Sequence, residues 1–262
     1  MIPRIIHYIW IGDRDIPEPD RTYVANWAKA CPGWEIRRWG LDDIKGLDCP
    51  FLRETLAAKR WVFACDWLRL YALANVGGFY MDTDVELKSS LEPFRDNDLC
   101  MGLNYSRYPQ TALIGAIPHQ PIIEELLAET SQRKFILGPG IYDETANNSV
   151  FMRLFKRRGI DLHLLGQDKD TEVMPRVRFY PAAVLCRPDG VRENVAWHHG
   201  AGYWREPYKR KAVVRLPFGL SYVRMKQRKF ATENDKLNLL DNEKLLCSKR
   251  FGRTVLALVK RT

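Results

Sequence analysis

The chain has 262 residues, 46% of them hydrophobic, and a formal net charge of +9, enough for one large domain with an appendage and a sizeable core. Its six cysteines are scattered with no Cys-x-x-Cys pair, which excludes a zinc ribbon and a small disulfide framework and points to reduced thiols. No apolar run approaches the ~20 residues that span a bilayer, and the opening Ile2-Pro3-Arg4-Ile5-Ile6-His7-Tyr8-Ile9-Trp10 is too short and too aromatic for a signal peptide; the expectation is a soluble or peripheral protein of the cytoplasm.

Residues 5–11 are apolar and β-branched and predict a buried first strand. Residues 21–30 predict a helix, and the large/polar alternation at 34–39 a second strand. The longest helical stretch, residues 52–75, carries a break near Lys59-Arg60 and ends at Gly77-Gly78, where a residue free to take positive φ caps it. Strands are expected at 79–85, 99–103 and 112–116, an amphipathic helix at 121–131, a helix at 145–157 after Gly138-Pro139-Gly140, and late strands at 177–180 and 182–186. This alternation predicts an α/β domain over residues 1–206 with a mainly parallel sheet and flanking helices.

Residues 207–262 read differently. Residues 205–229 hold nine basic side chains against one acid, Glu206, a block that fits a polyanionic partner or a solvated basic face. A basic, helical C-terminal tail is expected. Its last segment, 251–261, sets Phe251, Val255, Leu258 and Val259 on one helical face with Arg250, Arg253, Lys260 and Arg261 flanking it, the composition of a helix that contacts a membrane surface or docks on the protein itself.

The chemistry concentrates between Asp66 and Asp84. Asp82 and Asp84, two apart at the end of a strand, leave from one face on ideal geometry. Paired carboxylates on one face are stable when a cation neutralises them, and hard oxygen ligands favour Mg²⁺ or Mn²⁺. Asp66 and Arg69, three apart on the preceding helix, share a face. They sit among Trp61, Val62, Phe63, Ala64, Trp67, Leu68 and Leu70, so the pair is expected to face a cleft rather than bulk water. The planar donor fork of Arg suits a diphosphate, and Asp suits sugar hydroxyls.

Ala64-Cys65-Asp66-x-x-Arg69 followed by Gly77-Gly78-x-Tyr80-x-Asp82-x-Asp84 resembles the signature of sugar-nucleotide-dependent glycosyltransferases with a DXD sugar-binding region. It is most similar to glycosyltransferase family 32, which includes capsular polysaccharide transferases and yeast mannosyltransferases, with a related core in clostridial glucosylating toxins. The opening residues 2–10 and Trp197-His198-His199…Tyr203-Trp204 also match that pattern, whereas Cys65 stands where many members have Ser.

The resemblance implies a GT-A type, Rossmann-like fold with the donor at the carboxyl ends of the strands. Asp84 is then expected on the metal, Asp82 on the metal and the donor's ribose or sugar, Asp66 on donor sugar hydroxyls and Arg69 on the diphosphate or sugar. Tyr80, His7 and Trp10 are expected near the donor, with Trp10 able to stack on the base. One of His198 and His199, with His198 favoured, supplies a third metal ligand, and Trp204 belongs to a loop closing over the donor. Asp143 and Asn147 are expected as sugar contacts or helix-capping residues.

A retaining hexosyl transfer from a nucleotide-diphosphate sugar to a saccharide acceptor follows, lipid-linked acceptors included, in capsular, O-antigen or other surface polysaccharide synthesis. The alternative is another metal-dependent nucleotide-sugar enzyme, a hydrolase or nucleotidyltransferase. No nucleic-acid partner is expected, since no recognised binding module is present. UDP- and GDP-linked donors stay open.

Overall fold

The computed structural model describes residues 1–11, 15–138, 141–202, 208–218, 220–227 and 243–261. The chain divides into two compact units, Met1–Gly200 and Ala201–Thr262.

The first unit runs β1 (Ile5–Ile9), α1 (Asp20–Ala30), β2 (Glu35–Trp39), α2 (Pro50–Ala57), α3 (Trp61–Val76), β3 (Gly78–Met81), β4 (Val85–Leu87), β5 (Leu99–Leu103), β6 (Pro109–Ala116), α4 (Pro121–Gln132), β7 (Ile136–Gly138), β8 (Ile141–Tyr142), α5 (Asn147–Arg157), β9 (Thr171–Met174), β10 (Val177–Tyr180), α6 (Ala182–Leu185) and β11 (Ala196–His198). A seven-stranded sheet takes the order β2-β1-β3-β6-β5-β10-β9. β1 lies parallel to β2 and β3, and β10 parallel to β5. β6 is antiparallel to both β3 and β5, and β9 to β10. Every strand but β6 and β9 therefore points the same way, and the expected α/β architecture with a mainly parallel sheet is present.

Two apolar clusters enclose the sheet. One gathers α3 through Leu68, Leu70 and Leu73 with Ile122, Phe135 and Phe151. The other joins Trp27 to Phe79, Met81 and Leu113. α3 is apolar nearly all round, as a helix packed on several sides must be. Lys59, at φ 52°, breaks the expected long helix into α2 and α3. At its far end Gly77 has φ 69° and Gly78 φ 98°, and a Cβ on either would come within 2.6 Å of Pro118 Cδ or 2.7 Å of the Ile5 carbonyl. Only glycine lets α3 feed straight into β3 alongside β1.

Two sequence expectations are corrected. Residues 182–185 form α6 rather than a strand; the segment is too short for its periodicity to discriminate. The C-terminal unit is not a helical tail. It folds as β12 (Tyr208–Arg215), β13 (Leu220–Gln227), β14 (Glu243–Phe251) and β15 (Thr254–Arg261), an antiparallel sheet of order β12-β13-β15-β14. Val223 and Met225 of β13 are buried with Val255, Ala257 and Val259 of β15, while Tyr222, Arg224 and Lys226 point outward. The run Val255-Leu256-Ala257-Leu258-Val259 is apolar at every position and fits either period alone; pairing with the alternating β13 makes it a strand.

Candidate functional site

β3 delivers Asp82 into a turn, where Asp82 N–H donates to Ala112 O (2.9 Å) and Val85 N–H closes back on Asp82 O (3.1 Å). The two aspartates thus converge through a turn, not through the strand face that their spacing suggested. Thr83 between them donates its hydroxyl to buried Asp20 at 2.8 Å, and Trp27 Nε1 donates to Val85 O at 2.9 Å. The first helix therefore braces the middle and the far end of the carboxylate turn.

β11 pairs antiparallel with β4 and sets His198 opposite Val85, with His198 N–H on Cys186 O at 2.7 Å. The result is a cluster in which one ligand atom each from Asp82, Asp84 and His198 lie within 4.8 Å of one another. His198 Nε2 is 3.3 Å from Asp84 Oδ1. Burial alone would depress the imidazole pKa, but Asp84 and the charge of Asp82 outweigh it and raise it. On its other side Nδ1 meets the Gln110 amide at 2.9 Å, and that amide also reaches Cys186 Sγ at 3.0 Å. His199 faces elsewhere, stacked on Tyr23 and Trp197 and bonded to Glu86 at 3.0 Å. Two carboxylates and one imidazole at this span suit a small divalent cation, the nitrogen favouring Mn²⁺ over Mg²⁺.

On the α3 side, Arg69 is almost fully buried. Its Nη2 lies 2.8 Å from Asp66 Oδ1 and its Nη1 3.6 Å from Asp82 Oδ1. Nη1 also donates to Thr111 O at 2.7 Å. The guanidinium covers the Tyr80 ring at 4.5 Å, and Tyr80 donates its hydroxyl to Asp82 Oδ1 at 2.5 Å. Burial holds the Tyr80 phenol well above its ordinary pKa, so it stays a neutral donor. Burial also lifts Asp66 from 3.8 to about 6, against the opposing pull of Arg69. The Cys65 thiol is pushed up to about 12 by burial, which makes it inert as a nucleophile.

One buried donor here, Arg69 Nε, lacks a hydrogen-bond partner among the described residues. Asn147 opens α5, and its amide lies close enough to Asp66 to favour the charged carboxylate. Buried unpaired donors cost about 1–3 kcal/mol each, a penalty that an acceptor-rich ligand would relieve.

The structure thus brings together Asp66, Arg69, Tyr80, Asp82, Asp84, Asn147 and His198. It does not bring His7 to solvent. That ring is sealed between β2 and β3, with Nε2 2.7 Å from Gly77 O and Nδ1 accepting from Trp39 Nε1 at 3.1 Å, so the expected nucleotide contact is corrected to a strut within the sheet. Trp10 is half-buried beside a shallow hollow lined by Arg38, Gly40 and Asp43. Asp143 is held by Arg133 (2.8 Å) and by the Thr145 N–H (3.1 Å), the contacts of a turn organiser. Trp204 lies outside the described residues, as do Pro139 and Gly140. Asp20, Gln110 and Thr111 were not anticipated. Asp20 carries the ordinary signal of an acid in a first helical turn, whereas Gln110 and Thr111 carry none.

Residues 17–101 match the family model described as the glycosyltransferase sugar-binding region containing DXD motif. Among curated proteins, an uncharacterized glycosyltransferase of Acanthamoeba polyphaga mimivirus is 30% identical over 138 residues, covering 47% of this chain and 53% of that protein. The chain spans about half the length of this relative. Among solved structures, the PaToxG glycosyltransferase aligns with a TM-score of 0.47 at 18% identity, over 60% of this chain and 69% of that one. The matched segment takes in α1, α3 and the Asp82–Asp84 turn, so the brace and both carboxylates fall inside it. His198, Gln110 and Asn147 lie beyond its end and complete the site from outside.

Proposed function

We propose that the chain is a metal-dependent, retaining hexosyltransferase that moves a sugar from a nucleotide-diphosphate donor to a saccharide acceptor. The observation that carries this reading is the continuous chain Asp66–Arg69–Asp82 running into the Asp82, Asp84 and His198 cluster. A cation site alone would serve many reactions; a buried carboxylate–guanidinium pair beside it, with Arg69 Nε unsatisfied, fits a sugar diphosphate. The sugar-binding region and the mimivirus relative support the same reading.

Asp82, Asp84 and His198 would hold Mn²⁺ or Mg²⁺, which when bound supplies neutralisation of charge on the departing diphosphate. Arg69, fixed on three sides by Asp66, Thr111 and Asp82, presents a preorganised positive charge that needs no reorientation as the leaving group develops its own. Asp66, once ionised, accepts hydrogen bonds from donor hydroxyls, with Asn147 donating beside it. Tyr80 keeps Asp82 in place. No side chain of the site is nominated as a covalent nucleophile, and retention then proceeds by acceptor attack on the face that the diphosphate leaves, with a diphosphate oxygen accepting the acceptor's proton. Trp10 stacks on the base. In this reading the protein works in the cytoplasm, peripheral to the inner face of the membrane, on lipid-linked acceptors of surface polysaccharide synthesis.

Product analysis on a panel of UDP- and GDP-sugars, with and without saccharide acceptor, tests the reaction class. Release of nucleoside diphosphate with the hexose transferred to acceptor or water is expected. Nucleoside monophosphate release or nucleotidyl transfer, with the sugar phosphate intact, would sink it.

A further inference from the structure

In the C-terminal sheet, residues directly opposite on neighbouring antiparallel strands share a face. β13 and β15 pair Tyr222 with Leu258 and Arg224 with Leu256, and β15 and β14 pair Leu256 with Lys249, Thr254 with Phe251 and Lys260 with Lys244. The register thus sorts the sheet into one face that buries Val223, Met225, Val255, Ala257 and Val259 and one that does not. On the second face Tyr222 is 49%, Leu256 40% and Phe251 53% exposed. Arg224 and Lys249 stand exposed on either side of Leu256, Lys226 lies in the outer row of Thr254 and Phe251, and Lys244 and Lys260 lie beyond the Tyr222–Leu258 row. No carboxylate shares this face among the described side chains.

We infer that this face docks on an anionic lipid surface, with Tyr222 and Leu256 entering the boundary between headgroups and acyl chains and the five cations meeting lipid phosphates. Two features decide for lipid over nucleic acid, the other polyanion such charge could meet. The centre is partly aliphatic, and aliphatic side chains gain from acyl chains but not from a phosphate backbone. The cations form a rim around that centre rather than a track. The expected helix, contacting a membrane or docked on the protein itself, is replaced by a sheet face that separates its residues differently: Val255 and Val259, set on the apolar helical face, are buried, and Leu256 is exposed in their place. The inference deepens the acceptor half of the proposed function, and rests on that reading only for why a membrane would be needed.

The test is sedimentation of the full chain with phosphatidylcholine vesicles, with and without about one-third phosphatidylglycerol, alongside nucleotide-sugar hydrolysis in vesicle-free solution. Wild type is expected to bind anionic but not neutral vesicles. Each cation lost near the surface weakens binding about fivefold, so Arg224→Gln/Lys249→Gln should lower the partition constant about 25-fold, and Leu256→Ser should lower it further. Lys59→Gln/Lys169→Gln, equal in charge but on the first unit, should bind like wild type. Hydrolysis should be unchanged in all of them, so loss of vesicle binding with hydrolysis intact is attributable to the face and not to the catalytic reading. Far-UV circular dichroism checks that the variants fold, and should Arg224→Gln/Lys249→Gln fail, the milder Lys226→Gln/Lys260→Gln replaces it. The inference is overturned by wild type that ignores anionic vesicles, by equal losses in face and control variants, or by tighter binding to a nucleic-acid oligomer than to vesicles.

Discussion

The two halves of the candidate site solve opposite problems. On the α3 side a charged pair lies inside an apolar helix, with Asp66 lifted to about 6 by burial and Arg69 held by three partners. On the turn side the carboxylates sit in a short irregular segment held from outside by Asp20, Trp27 and the β11 strand. One half is dry and self-neutralising, suited to reading hydroxyl groups. The other half gathers like charges that need a cation. A site is assembled where they meet, at Asp82, which belongs to both.

The largest effect should come from the shared metal side. Asp84→Ala is expected to weaken Mn²⁺ binding by at least about 100-fold, beyond the range for residues that only support a ligand, and to abolish donor turnover with the fold intact; paramagnetic-resonance titration of Mn²⁺ checks it, and near-normal affinity would remove Asp84 from the site. Arg69→Ala should lower stability as well as turnover, costing about 3–5 kcal/mol because Asp66 is left as an uncompensated buried charge. Adding Asp66→Asn should recover much of that loss in chemical denaturation; no recovery would mean that Arg69 packs rather than neutralises.

Asp66 gives the next effect, through pH. Its folded-state pKa of about 6 exceeds the ordinary 3.8, so the folded protein holds this proton more tightly than the unfolded chain. Its favourable contribution is complete below about pH 4 and is lost as pH rises through 6. Between those values wild type should lose stability relative to Asp66→Asn, while donor turnover rises as the carboxylate forms. An acid limb near pH 6 that persists in Asp66→Asn would contradict the assignment. The smallest effect is expected at Gln110, whose amide orients His198: Gln110→Leu should weaken Mn²⁺ about tenfold, and an unchanged affinity would show that the Cys186 carbonyl and β11 suffice.

Legibility followed the range of the contacts. Asp66 with Arg69, and Gly77-Gly78 with Asp82 and Asp84, were readable because each pair lies within a helical turn or at a helix-to-strand junction where glycine leaves a local signature. His198 was readable as a type of residue but needed the β4–β11 pairing to separate it from His199. Gln110 and Thr111 act across the sheet, and nothing local marks them. His7 misled because a histidine at a strand end looks the same whether it faces a ligand or a Trp39 indole. The C-terminal sheet was misread because an unbroken apolar run hides its period, and only its neighbour strand reveals it.

The proposed cation requirement joins both halves and is tested most directly by nucleotide-sugar hydrolysis after exhaustive chelation and metal replacement. Hydrolysis that stops on chelation, returns with Mn²⁺ better than with Ca²⁺, and never returns in Asp84→Ala is expected. Turnover that is indifferent to chelation would contradict the pairing of a cation site with the Asp66–Arg69 pocket.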